Sequence, residues 1–114
     1  MTAHPDLIER VREALAGLPD VKEKRMFGGV AFMVNDKMCV TVGDHEDHQM
    51  MVRVGPAAYG SALMKSGAKP AIMGGRTYKG YVFLVAAAVQ TKRQLSNWVA
   101  LALDFNRQLT GARR

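Results

Sequence analysis

A chain of 114 residues, 48% apolar and 23% charged, has the size and balance of one folded domain, which argues against disorder and against a second domain. Its single cysteine, Cys39, excludes an intrachain disulfide, and no uncharged run approaches the ~20 apolar residues of a membrane helix. The formal charge of +6 is uneven, with seven Lys/Arg against nine Asp/Glu in residues 1–60 and nine Lys/Arg against Asp104 alone in residues 61–114, so the basic half suits either an anionic partner or a solvated surface.

In chain order, Leu7, Val11, Ala14, Leu15 and Leu18 share one face at 3.6 residues per turn, which predicts a helix with Pro5 in its first turn and Gly17 and Pro19 ending it. The N-terminus lacks the charged, apolar, small-residue succession of a secretory signal, so a cytoplasmic location is expected. Val21–Phe27 reads as a polar edge strand guarded by Lys22, Lys24 and Arg25, and Gly28-Gly29 suits a bulge or bend. Val30, Phe32 and Val34 alternate, and after the Asn35-Asp36 turn so do Met38, Val40 and Val42, with Cys39 and Thr41 on the other side; this is a β-hairpin.

Gly43–His48 follows as a polar loop. Gln49–Val54 alternates again, with Met51 and Arg53 opposite Met50, Val52 and Val54. A helix from Pro56 to about Lys65 is broken by Ser66–Pro70, and Ile72–Gly80 reads as a turn leading into a strand at Tyr81–Val85. Thr91 and Gln94 have the spacing of a capping box for a final helix from about Lys92 to Leu109. The apolar set of that helix (Leu95, Trp98, Val99, Leu101, Ala102, Leu103, Phe105 and Leu109) is wider than one stripe, so it is either sandwiched or meets a second copy of the chain. Together these elements predict a single α+β domain over 1–114, ordered from about 5 to 109, in two layers with helices packed on an antiparallel sheet.

Chemistry-bearing residues are sparse. His45 and His48, with Asp44, Glu46 and Asp47, have metal-binding side chains, yet only His4 remains as a further histidine and a polar loop explains them equally. Cys39 lies within a strand with no base readable beside it, as a small hydrophobe would. The run from Gly74 to Gly80 pairs glycines with Arg76 and Lys79, as an anion cradle or as a turn with solvated cations. No carboxylate pair suits acid–base work, and the eight methionines read mainly as core filling, with adaptable protein contacts as the alternative. No metal, cofactor or catalytic residue is expected.

Four segments resemble one family. Lys24-Arg25-Met26-Phe27-Gly28-Gly29-Val30-Ala31-Phe32-Met33 is similar to the opening signature of the TfoX/Sxy N-terminal domain family. Met38-Cys39, Met50-Met51-Val52-Arg53-Val54-Gly55-Pro56 and Gly75-Arg76-Thr77-Tyr78-Lys79-Gly80-Tyr81-Val82 continue it in order, across about residues 5–108. The resemblance implies a two-layer fold like that of secretion chaperones, in the order α-β-β-β-α-β-β-α. It also implies a link to regulation of DNA-uptake competence with a transcription factor, in relatives that add a helical C-terminal domain. Members often carry Met in place of Tyr78 and a second Cys in place of Val40, so a thiol pair is not expected here.

The leading expectation is a non-enzymatic regulatory module that binds a protein partner and forms a homodimer through Trp98, Leu101 and Phe105. The alternative is a nucleic-acid or anion binder using Arg76, Lys79, Lys92 and Arg93, although a stacking platform of aromatic side chains is not evident.

Overall fold

In the computed structural model, which describes residues 5–26, 29–43 and 48–111, the N-terminal spacing forms α1 (Pro5–Leu15). Leu7, Val11 and Leu15 are buried on one side of it, and Glu9, Arg12 and Glu13 are exposed on the other. Then come β1 (Val21–Met26), β2 (Gly29–Val34), β3 (Lys37–Val42), β4 (Met50–Arg53), α2 (Pro56–Leu63), β5 (Ala68–Met73) and β6 (Arg76–Leu84). A 3-10 turn at Ala86–Val89 leads into α3 (Lys92–Thr110). The class is the expected α+β. One strand more than the order implied by the resemblance precedes α2, because the polar stretch 21–26 and the short run 50–53 both pair into the sheet.

All neighbouring strands are antiparallel, in the order β1-β2-β3-β4-β6-β5. The register lines up Phe32, Val40, Val52 and Val82 across four strands, with Val30, Val42, Met50 and Leu84 in the next row of the same face. Leu7, Val11 and Leu15 of α1, Ala62 of α2, and Leu95, Trp98, Val99 and Ala102 of α3 pack on that face as one core. Burying a side chain of this size stabilises the fold by ~1.5–3 kcal/mol. All three helices therefore cover the same side of the sheet.

Two departures from the expected strands shape the other side. Strict alternation would keep Met38 with Val40 and turn Cys39 away. Instead Phe32 pairs with Val40 while Met33 pairs with Met38, which leaves Cys39 as the extra residue of a β-bulge. Cys39 and Val40 then both join the helix-side core, and Met38 turns to the opposite face. The segment expected to be a break, Ser66–Pro70, already enters β5 at Ala68. Pro70 is tolerated inside it because β5 is the edge strand of the sheet.

The capping box of α3 forms as its sequence indicates. The Gln94 amide donates to Thr91 Oγ1 at 3.0 Å, and the Thr91 amide donates to Gln94 Oε1 at 2.9 Å. The wide apolar surface of α3 is met by α1, the sheet and the 3-10 turn. Among the described residues no helix is long and apolar enough to cross a membrane.

Candidate functional site

An antiparallel sheet covered by helices on one side usually turns a polar face to water on the other. Here the register places Lys24, Ala31, Thr41, Met51, Phe83 and Lys69 in one row across the helix-free face, and Lys22, Met33 and Met38 in the next. The edges are cationic and the middle is apolar. Met51, Ala71 and Phe83 are buried in a second, smaller core, with Met38, Met73 and Tyr81 packed beside them. The His48 ring lies flat on Phe83, 3.6 Å between centroids, and shields that end of the face. The remainder is a cleft of about 350 Å³ lined by Met38, Met51, Met73, Gly74, Tyr78 and Tyr81.

The β5–β6 hairpin builds the wall of the cleft. Gly74 and Gly75, at φ 58° and 78°, form a two-residue turn that pairs Met73 with Arg76. Further along, Pro70 pairs with Val82 but Ile72 pairs with Thr77, so residues 78–81 bulge opposite Ala71. Three positions apart, Tyr78 and Tyr81 would point to opposite faces of a regular strand. The bulge brings both to the cleft, where their rings meet edge to face at 6.3 Å. Gly80, at φ 94°, completes the bulge, and its carbonyl accepts from the amides of Val54 (2.8 Å) and Gly55 (3.0 Å).

Two guanidinium groups sit against these rings, Arg53 at 5.3 Å from the Tyr81 centroid and Arg76 at 5.9 Å from that of Tyr78. Among the described residues neither is in an ion pair. Three thioethers make a polarizable, adaptable floor, and the cation–aromatic pairs make a positive rim. Such a lining suits a bulky apolar group in anionic surroundings. It presents no carboxylate, imidazole or thiol among the described residues with which to move a proton.

The sequence profile of the TfoX N-terminal domain matches residues 13–106. The chain belongs to the TfoX N-terminal domain family. No curated protein and no solved structure matches it. In this TfoX N-terminal domain the segments that carry the resemblance supply four of the six cleft residues, Met38, Met51, Tyr78 and Tyr81.

The candidate residues read from sequence are distributed more widely than the cleft. Arg76 and Lys79 are exposed near the start of β6, whereas Lys92 and Arg93 open α3 after β6 has run to Leu84. Arg76 lies against the Tyr78 ring at the cleft, whereas Lys92 and Arg93 begin the helix that packs on the opposite side of the sheet. The Gly74-Gly75 segment is the hairpin turn, and only Arg76 of the four touches a cleft side chain among the described contacts. Trp98 is 4% exposed and belongs to the core, while Leu101 and Phe105 are half-buried. Phe105 packs against Gly55 and beneath Arg53, whose guanidinium is 5.5 Å from its ring. Burial pushes the Cys39 thiol up to about 12, with Arg53 pulling the other way, so the thiol is protonated at neutral pH and a poor nucleophile. Of the two loop histidines, His45 lies outside the described residues.

Tyr81 and Arg53 had no functional reading in the sequence, and Met73 had one only as one of eight methionines that could serve adaptable protein contacts. The one available signal was Met51, an apolar residue on the strand side opposite Met50 and Val52, where a solvated face would be polar.

Proposed function

We propose that this TfoX N-terminal domain is a non-enzymatic regulatory module that binds a protein partner on the helix-free face of its sheet. The observation that carries the reading is the methionine- and tyrosine-lined cleft on a face the fold leaves without a covering helix. Methionine-rich surfaces adapt to the side chains of a partner at little conformational cost, and apolar patches on a solvated face mark interaction sites. A role in competence or transcriptional regulation is what the family resemblance suggests for such a partner. The non-enzymatic reading rests on the protonated, buried Cys39 and on a cleft lined by thioethers and phenols.

A photoreactive amino acid in place of Tyr78, activated in living cells that express the protein, tests this. The expected product is a covalent adduct with a protein, absent when the same group replaces Glu13 on the exposed face of α1. Adducts at both positions alike, or at neither, would rule out the face as the binding surface. Adducts with nucleic acid alone would favour the anion-binding alternative.

A further inference from the structure

The chemistry of the partner segment can be taken further, on the basis of the interaction reading above. We infer that the cleft receives a bulky apolar side chain, aromatic or leucine-like, presented by an acidic peptide segment. Three observations support this choice over other occupants.

The floor is apolar and deformable, formed by Met38, Met51 and Met73, and its volume of about 350 Å³ is at the low end of the ~300–1,000 Å³ range of ligand pockets. That volume admits one large side chain. Among the described residues the charges that flank it are cationic. Arg53 and Arg76 flank the two tyrosines, and Lys24 begins the row that crosses the same face, none of them in an ion pair among the described residues. Lys22, in the neighbouring row, already meets Asp36 at 3.3 Å. The row from Lys24 to Lys69 contains no carboxylate. Acidic residues flanking an apolar anchor complement this pattern, whereas a second copy of the same face would set like charges against each other.

The aromatic rings are also arranged against base stacking. A nucleobase needs an open ring face. Here the guanidinium groups of Arg53 and Arg76 occupy positions over Tyr81 and Tyr78, and His48 lies on Phe83. A base would have to displace these contacts, whereas a side chain can seat among Met38, Met51 and Met73 beside the rings.

The test uses a fluorescein-labelled dodecapeptide of aspartate and glutamate around one central phenylalanine, titrated against the full chain by anisotropy and mapped by amide and methyl NMR shifts. The expected result is binding that shifts the methyl groups of Met38, Met51 and Met73. The Arg53→Gln/Arg76→Gln double variant should weaken it about tenfold, and Tyr78→Ala by a similar factor. Lys92→Gln/Arg93→Gln, at the start of α3 on the opposite side of the sheet, should change it less than about twofold. An unchanged fold in each variant is verified from its NMR spectrum.

Equal binding of a lysine-for-acid peptide, loss of all binding in the Lys92/Arg93 variant, or no binding at millimolar peptide would overturn the inference. Tighter binding of a thymidine oligonucleotide at the cleft would overturn it together with the protein-interaction reading. A Tyr78 adduct with a protein whose contacting segment is basic or uncharged would overturn the inference and leave that broader reading standing.

Discussion

Asn106 lies on the face of α3 that the helical period assigns to the core, and it is 3% exposed. Its side-chain amide donates to the Val34 carbonyl at 2.9 Å, and its Oδ1 accepts from Asn35 Nδ2 at 3.0 Å. A buried amide left without partners costs ~1–3 kcal/mol, so these bonds are what permit a polar residue there and join α3 to the β2–β3 turn. Sequence could not expose the pairing, since the partners are 71 and 72 positions away. Glu23 shows the same limit in an ion pair. Its carboxylate accepts from Arg12 Nε at 2.6 Å and Nη2 at 2.9 Å, which holds its pKa below the usual carboxylate range against a smaller upward push from burial. A depressed pKa adds stability above the unfolded value, and that stability is lost as pH falls through the folded value. Glu23→Gln is therefore expected to lower Tm at pH 7 and to have less effect near pH 3, as measured by circular dichroism melting. An equal loss at both pH values would show that the ionised pair is not what matters.

At the scale of elements, local signals were sound where partners are close in the chain. The Thr91–Gln94 capping box spans three residues and was legible in full. So was the Asn35-Asp36 turn, whose residues adopt the φ values of 52° and 65° that a two-residue hairpin requires. The bulges were not legible, because they arise from how two strands register against each other and leave no local period to read. One of them turns Met38 out of the core, and the other gathers Tyr78 and Tyr81 on one face. Gly80 is the most exacting position of the second bulge. An added Cβ there would lie 3.3 Å from the Gly55 backbone, at a φ that side chains rarely adopt. Gly80→Ala is expected to cost ~1–3 kcal/mol in urea unfolding and to shift the ring resonances of Tyr78 and Tyr81. Gly60→Ala is the control, since Gly60 is exposed within α2 with open space around it, and should raise stability by ~0.5–1 kcal/mol. If the two substitutions acted alike, the bulge would not depend on glycine at position 80.

For the whole molecule, the strand order decides which parts are most protected. β3 and β4 lie centrally under α3, whereas β1 and β5 form the two edges. Native-state hydrogen exchange should accordingly be slowest at amides such as those of Val40 and Val52, and faster along β1 and β5. Slowest exchange in β1 would contradict this distribution of stability. The same architecture explains the wide apolar face of α3. Trp98 and its neighbours are buried by α1, the sheet and the 3-10 turn within one chain, so the width of that face does not itself require a second copy.

By itself, the sequence determined the α+β class, the capped final helix, the β2–β3 hairpin and the family to which the chain belongs. Each depends on spacing within a few residues or on short segments in order. Only the tertiary structure decided which sheet face is free, that Met38, Met51, Met73, Tyr78 and Tyr81 converge there, and that Lys92 begins a helix on the opposite side of the sheet from Arg76. The physical reason is that alternation assigns a residue to one of two faces only until a bulge resets the count. Which face the helices then cover is settled by packing among elements distant in the chain.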